Sequence, residues 1–307
     1  NKGKLENRTI DACHVSGGLI GSVYCTNDTK ALFENCSADN LTVGGGWFAG
    51  GLCGYTRNCQ IDIIGEASGD NNTVFGINRI YTLAADSNNK YKMGPGGLIG
   101  NFESTRSLTV QNMDIKGGSL ENVNNTSVGG VIAYTEGAST ISLENVNVKN
   151  LDIVNTGADT SAIYSGGVLG YVSNASTVAS FVDVSVISDT ASEINGSLSA
   201  GGIAGYIKGT VTADGCYVKN YTVSSTGSNN GCGGLFGKTE AKMILKNSKF
   251  SDCVLRQGAA TQSIGALAGL LQSNYINGYN IVINNTKITD TSGNPLTNTT
   301  VAGDIIG

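Results

Sequence analysis

Short runs of this chain alternate apolar and polar residues with a period of two. In residues 129–165 the run Ser139-Thr140-Ile141-Ser142-Leu143 is followed by Val146-Asn147-Val148-Lys149-Asn150-Leu151-Asp152-Ile153, after an opening Gly130-Val131-Ile132-Ala133-Tyr134. Alternation of this kind marks strands with one buried face. Glu136-Gly137, Glu144-Asn145 and residues 155–160 separate the pieces and supply turn residues. No segment holds a 3.6-residue apolar period over three turns, so almost no helix is expected. Residues 166–200, 201–232 and 233–264 repeat the plan, with Met243-Ile244-Leu245 and residues 250–255 as the second and third pieces of the last.

The pattern is punctuated by a rewritten pentapeptide. Gly17-Gly18-Leu19-Ile20-Gly21 returns at Gly50, Gly96, Gly129, Gly166, Gly201 and Gly233, in worn form at Gly265, and closes the chain from Gly303. The opening glycines stand 33, 46, 33, 37, 35, 32, 32 and 38 residues apart. A period in this range signals a repeat architecture. Three short strands in about 33 residues describe one turn of a solenoid, whereas hairpins would need two-residue Asn-Gly turns at fixed offsets. The expected fold is therefore all-β: a right-handed parallel β-helix of about nine coils, three short strands per coil, forming a single domain over residues 1–307. At about 4.8 Å per coil it would be a rod roughly 40 Å long. The Leu, Ile or Val after each glycine pair is expected to point inward, and glycines allow backbone approaches that a Cβ would forbid. Asn35, Asn112, Asn145, Asn247 and Asn280 follow the motif by 14 to 18 residues and are expected to stack as an amide ladder.

The long 46-residue interval places an excursion at residues 66–93, containing Phe75, Arg79, Tyr81 and Tyr91. Such insertions are often where solenoids bind; the alternative is a strand-bearing excursion that packs over one coil. The chain starts and stops mid-repeat, without the atypical polar repeats that cap a solenoid. It reads as a segment of a longer protein, or as one whose ends stack head to tail on neighbouring copies.

The Gly-Gly-Leu-Ile-Gly copies, with Leu32-Phe33-Glu34-Asn35-Cys36 running on to Val43-Gly44 and echoed by Asp214-Gly215-Cys216-Tyr217 and Ser251-Asp252-Cys253, resemble the GLUG-motif repeats of bacterial surface proteins and adhesins. The resemblance spans nearly the whole chain and implies a β-solenoid stalk or adhesive region outside the cell. The chain departs from the pattern in its longer repeats and in lacking the Cys in several coils.

Composition narrows the rest. Charged residues make up 14% of the chain, which carries 44 glycines, two prolines and a net charge of −5. The 19 Lys and Arg are scattered, so the footprint of a nucleic-acid binder is missing. No apolar run approaches the roughly 20 residues of a membrane span, and no signal peptide opens the chain, as in a mature form or an excised piece. Twelve Asn-X-Ser/Thr sequons occur, where random placement gives 33 × 57/307, or about six. Asn7, Asn27, Asn40, Asn71, Asn124, Asn125, Asn174, Asn195, Asn284 and Asn298 are the glycosylation candidates; Asn35 and Asn220 precede strand positions and are weaker. The plainer alternative is that solenoid turns favour Asn, Ser and Thr anyway.

Eight cysteines form no Cys-X-X-Cys pair, so a zinc or redox site is not expected. Cys53, within a motif, reads as a small buried hydrophobe. Cys25 and Cys59 lie eight and nine residues after successive motif starts. They either bond across adjacent coils, given a Cα separation of about 4.4–6.8 Å, or stay as buried thiols. His14, the single histidine, has no companion at ligand or triad spacing and reads as a surface or turn residue. Asp62, Asp114, Asp152 and Asp183 lie between apolar residues and point outward; stacked, they would suit Ca²⁺. Their offsets of 12, 18, 23 and 17 from the motif differ, which favours solvated acids and no cofactor. The expected function is an extracellular or cell-surface, non-enzymatic, structural or adhesive solenoid, a stalk or filament segment. The alternatives are a polysaccharide lyase or glycoside hydrolase, which would show paired carboxylates and an aromatic platform in an outward groove, and a glycan- or host-binding module using residues 66–93.

Overall fold

The structure, a computed structural model, describes residues 4–6, 9–26, 29–67, 72–83, 93–122, 126–155, 163–227, 231–258, 262–273, 275–290, 292–296 and 302–303. Among them it is all-β, with parallel strands stacked into a β-solenoid. One wall is an eight-stranded sheet built from the segment after each glycine pair, from Ile20–Tyr24 through Cys53–Arg57 and Ile99–Glu103 to Ala268–Leu271. Eight stacked strands enclose about seven turns rather than nine coils. Motifs count the posts and turns count the intervals, and of the ninth copy only Gly303 lies within the described residues, where Ala302–Gly303 pairs with Ile264 and Gly265.

The phase of the repeat is kept without slippage. Gly17, Gly50, Gly96, Gly129, Gly166, Gly201, Gly233, Gly265 and Gly303 pair in one unbroken column. Backbone hydrogen bonds of 2.8–2.9 Å run along the axis just after it: Leu52 N–H to Leu98, Leu98 to Val131, Val131 to Val168, Val168 to Ile203 and Ile203 to Leu235. The side chains of Leu52, Leu98, Val131, Val168, Ile203 and Leu235 are at most 1% exposed. A Cβ on the second glycine would enter the next coil: at Gly130 it would lie 1.9 Å from the Gly167 carbonyl oxygen. The motif is therefore where successive backbones come closest.

The other walls are more angular than three strands per coil. The second and third pieces of residues 129–165 form one bent strand, Thr140–Lys149, with Asn145 in the left-handed region at φ 51°. Ile141 and Leu143 point inward before the bend, and Val146 and Val148 after it. The corner uses up one residue and shifts the alternation by one, which keeps apolar side chains inside on both sides of it. A second corner follows at Asn150, φ 54°. Asn35, Asn112, Asn145, Asn247 and Asn280 all occupy the first corner, joined there by Asp183 and Gly215. Short polar side chains and glycine tolerate this conformation. The amides link coils: Asn145 Nδ2 donates to Asn112 Oδ1 and Asn280 Nδ2 to Asn247 Oδ1, both at 2.9 Å. In Asn35-Cys36, Gly215-Cys216 and Asp252-Cys253 the cysteine directly follows a left-handed corner residue.

The excursion at 66–93 divides in two around a regular rung. Thr73–Thr82 pairs with Met113–Lys116 and Ser119–Asn122 on one side and with the preceding coil on the other. Phe75, Ile80 and Tyr81 are buried in it, and Arg79 pairs with Glu121 at 2.6 Å and lies over the Tyr81 ring. The extra length therefore sits on either side of this strand. Tyr91 lies outside the described residues.

Among the described residues, the inner side chains at the two ends of the stack are less covered than those between. Leu19 and Ile20 are 47% and 37% exposed, while their counterparts one coil on, Leu52 and Cys53, are 1% exposed. At the other end Ile276, Ile281, Ile283 and Ile288 are only half-buried.

Candidate functional site

At each glycine pair the chain makes a re-entrant bend, so two outward columns of side chains face each other across a seam. One column stands two residues before the pair and reads Val15, Phe48, Gly94, Ser127, Tyr164, Ser199 and Gly231. The other stands four residues after it and reads Ser22, Tyr55, Asn101, Tyr134, Tyr171, Tyr206 and Lys238. Where both members are large the seam is filled. Tyr164 packs on Tyr171 and Tyr206 at 4.8 and 5.1 Å, and Tyr171 stacks on Tyr206 at 4.9 Å. Such ring pairs contribute about 0.5–1.5 kcal/mol each beyond burial. Towards the first coils, around Phe48 and Tyr55, the seam opens.

The opening is a groove of about 430 Å³, within the range of roughly 300–1,000 Å³ of small-molecule clefts. One end is aromatic. Phe48 stacks on Tyr55 at 5.2 Å, Tyr24 leans on Tyr55 at 5.6 Å, and His14 meets Trp47 at 4.7 Å. Met93 and Asn101 lie along it, and Glu103 and Glu136 bring carboxylates to the other end. Arg57, Glu103 and Glu136 are in-register neighbours on three successive coils. Glu103 accepts the Tyr55 hydroxyl and pairs with Arg57 Nε at 3.3 Å. Burial, then the hydrogen bond and charge of Glu103, push the Tyr55 phenol well above its usual range, so it remains a donor. Tyr206 is raised in the same way by burial and then Glu240. For Glu240 burial acts upward, but the Tyr206 hydroxyl with Lys208 and Lys238 outweighs it and holds the carboxyl low.

His14, exposed as the sequence suggests, is thus a wall of the groove. The tyrosine column was not singled out from the sequence, although its signal is plain: Tyr follows the motif directly at Tyr55, Tyr134, Tyr171 and Tyr206. The four acids are kept apart. Asp62 sits opposite Thr109 and pairs with Lys30. Asp114 sits opposite Asn147 and pairs with Lys149 at 2.6 Å. Asp152 sits opposite Ser119 and accepts the Glu193 N–H at 3.0 Å, and Asp183 is a corner residue at φ 52°. Among the described residues no group of three or more His, Cys, Asp or Glu is placed to hold a metal ion.

Cys25 and Cys59 are joined by a disulfide, with Cα atoms 4.9 Å apart. Cys53, Cys216, Cys232 and Cys253 are buried free thiols, and Cys36 is a half-buried one. Of the sequons, Asn40 and Asn284 are exposed and Asn174 is half-buried, its Oδ1 accepting the Ser176 N–H. Asn195 has its Oδ1 buried, and Asn220 donates to the Ser188 carbonyl. Asn35 is half-buried. Asn7, Asn27, Asn71, Asn124, Asn125 and Asn298 lie outside the described residues. A smaller hollow of about 220 Å³ beside the register shift at residues 187–192 has its acids engaged, Asp189 by Asn150 and Asp252 by Asn285.

No protein family, curated protein or solved structure matches this chain. No helix among the described residues is long and apolar enough to cross a membrane.

Proposed function

We propose that this chain is an extracellular, non-enzymatic β-solenoid that serves as a stalk or filament segment with an adhesive face, as the resemblance to GLUG-motif repeats implies. The observation that carries the reading is axial: nine glycines stand in one column, and among the described residues Leu19 and Ile20 of the first coil are exposed where their counterparts in the next coil are buried. A coil buries its apolar face only against another coil, and an open parallel edge presents unpaired backbone groups. The surface that complements Leu19 and Ile20 is one more coil of the same kind, from a longer chain or from another copy. The disulfide suits an oxidising location, and the exposed Asn40 and Asn284 sequons suit a glycosylated surface.

Sedimentation velocity and negative-stain microscopy over a concentration series test this. Elongated particles that associate end to end, with association suppressed in Leu19→Lys, are the expected result. Compact particles of one size at every concentration, unaffected by Leu19→Lys, would overturn it.

A hydrolase reading has one observation in its favour, the neighbouring Glu103 and Glu136 in the groove. Both project from one column on one wall, however, whereas glycoside hydrolysis places its two carboxyls on either side of the scissile bond. Glu103 is also engaged by Tyr55 and Arg57. These features favour holding a ligand over cleaving one.

A further inference from the structure

From the groove between Tyr24 and Glu136 we infer a binding site for a neutral, linear oligosaccharide laid along the solenoid axis. The inference rests on the adhesive reading above and gives it a ligand class. Shape is the first argument. The lining comes from four successive coils: Tyr24 from the first, Trp47 and Tyr55 from the second, Asn101 and Glu103 from the third, and Glu136 from the fourth. Three steps of about 4.8 Å make the groove about 14 Å long and parallel to the axis. A compact cation, the other ligand of aromatic sites, is held by rings that box in one point; these walls are instead drawn out along a line.

Chemistry is the second argument. A pyranose ring carries an apolar C–H face and a rim of hydroxyls. Tyr24, 64% exposed, and the half-buried Trp47 offer ring surface at one end, where C–H groups gain dispersion contacts. At the other end Glu103 and Glu136 are both half-buried, and a carboxylate has about four acceptor sites, so they accept hydroxyls beside the partners they already have. Charge sets the selectivity. Among the described residues, Glu103 and Glu136 are the acidic groups lining the groove and His14 the basic one, and Arg57 is tied to Glu103. Uronic or sialic acids would meet like charge, so neutral sugars are preferred.

The test is affinity electrophoresis and saturation-transfer NMR of the full chain with cellohexaose, xylohexaose and mannohexaose, against polygalacturonate and choline. Binding of at least one neutral hexasaccharide is expected. Tyr24→Ala should weaken it at least tenfold, Trp47→Ala likewise, and Tyr279→Ala, equally exposed but at the far end, should leave it unchanged. Tyr24 is exposed enough that its truncation leaves the fold intact, which amide exchange would verify. No binding of any neutral hexasaccharide, binding insensitive to Tyr24→Ala, or a preference for choline or polygalacturonate would each overturn the assignment. New reducing ends, assayed in the same samples, separate the two readings. Tyr24-dependent binding with cleavage keeps the groove and removes the non-enzymatic function; absence of binding removes the groove and leaves the rod.

Discussion

Gly167→Ala probes the stacking of the coils with a single methyl group. The added Cβ would lie 2.1 Å from the Gly202 carbonyl oxygen and 2.8 and 2.9 Å from the Val186 methyls. Ordinary contact begins at 3.4 Å, so the two coils must part there by more than 1 Å. Three axial hydrogen bonds cross that gap: Gly167 N–H to Gly201 at 3.2 Å, and Val168 and Leu169 N–H to Ile203, both at 2.9 Å. Losing or stretching them costs about 1 kcal/mol each, and relieving an overpacked core about 1–3 kcal/mol. Alanine's smaller unfolded-state entropy returns about 0.4–1 kcal/mol. The net loss is about 3–6 kcal/mol. A solenoid need not unfold in one step, so the readout is amide hydrogen exchange by mass spectrometry, peptide by peptide. Exchange over residues 166–172 and 201–207 should speed up at least about a hundredfold, a factor of ten for each 1.4 kcal/mol. Gly278→Ala is the control: its Cβ would meet nothing closer than 3.5 Å and its φ is ordinary. If Gly167→Ala exchanges no faster than Gly278→Ala, the close approach of coils at the motif is not what requires glycine.

Other consequences can be measured on the same protein. Asn145→Ala forces a left-handed alanine and removes amide bonds to Asn112 and Asn72, so it should destabilise by about 2–3 kcal/mol, while Asn145→Gly should cost about 1 kcal/mol; equal melting temperatures would refute the corner argument. Reducing Cys25–Cys59, 34 residues apart, should cost up to about 4 kcal/mol by loop closure, and the faster exchange should stay within the first coils. Burial pushes the Cys216 and Cys232 thiols from 9.0 up to about 12. The unfolded chain therefore ionises first: stability is whole below pH 9 and falls as pH rises towards 12, by about 1.4 kcal/mol per unit for each thiol. Urea midpoints at pH 8 and 10.5 should show this, and Cys216→Ala with Cys232→Ala should flatten it.

The sequence by itself determined the solenoid, because its evidence is periodic. Alternating apolar residues need a lid, and a motif that returns every 32 to 46 residues can supply one only by stacking in phase. Inward Leu52 and Val131, the shared corner of Asn112, Asn145 and Asn247, and the coil-to-coil proximity of Cys25 and Cys59 all follow from position within the repeat. The excursion at 66–93 was legible as extra length but not as two insertions around the rung Thr73–Thr82, because spacing counts residues without saying which of them rejoin the stack. The groove lay further out of reach. His14, Trp47, Asn101 and Glu136 are separated by up to 122 positions and share no motif. Only the re-entrant bend brings the column of Phe48 and Tyr164 against that of Tyr55 and Tyr171. Periodicity fixes which residues stack on which along the axis; which outward columns meet across it depends on how sharply each turn closes, and that is a property of the packed whole.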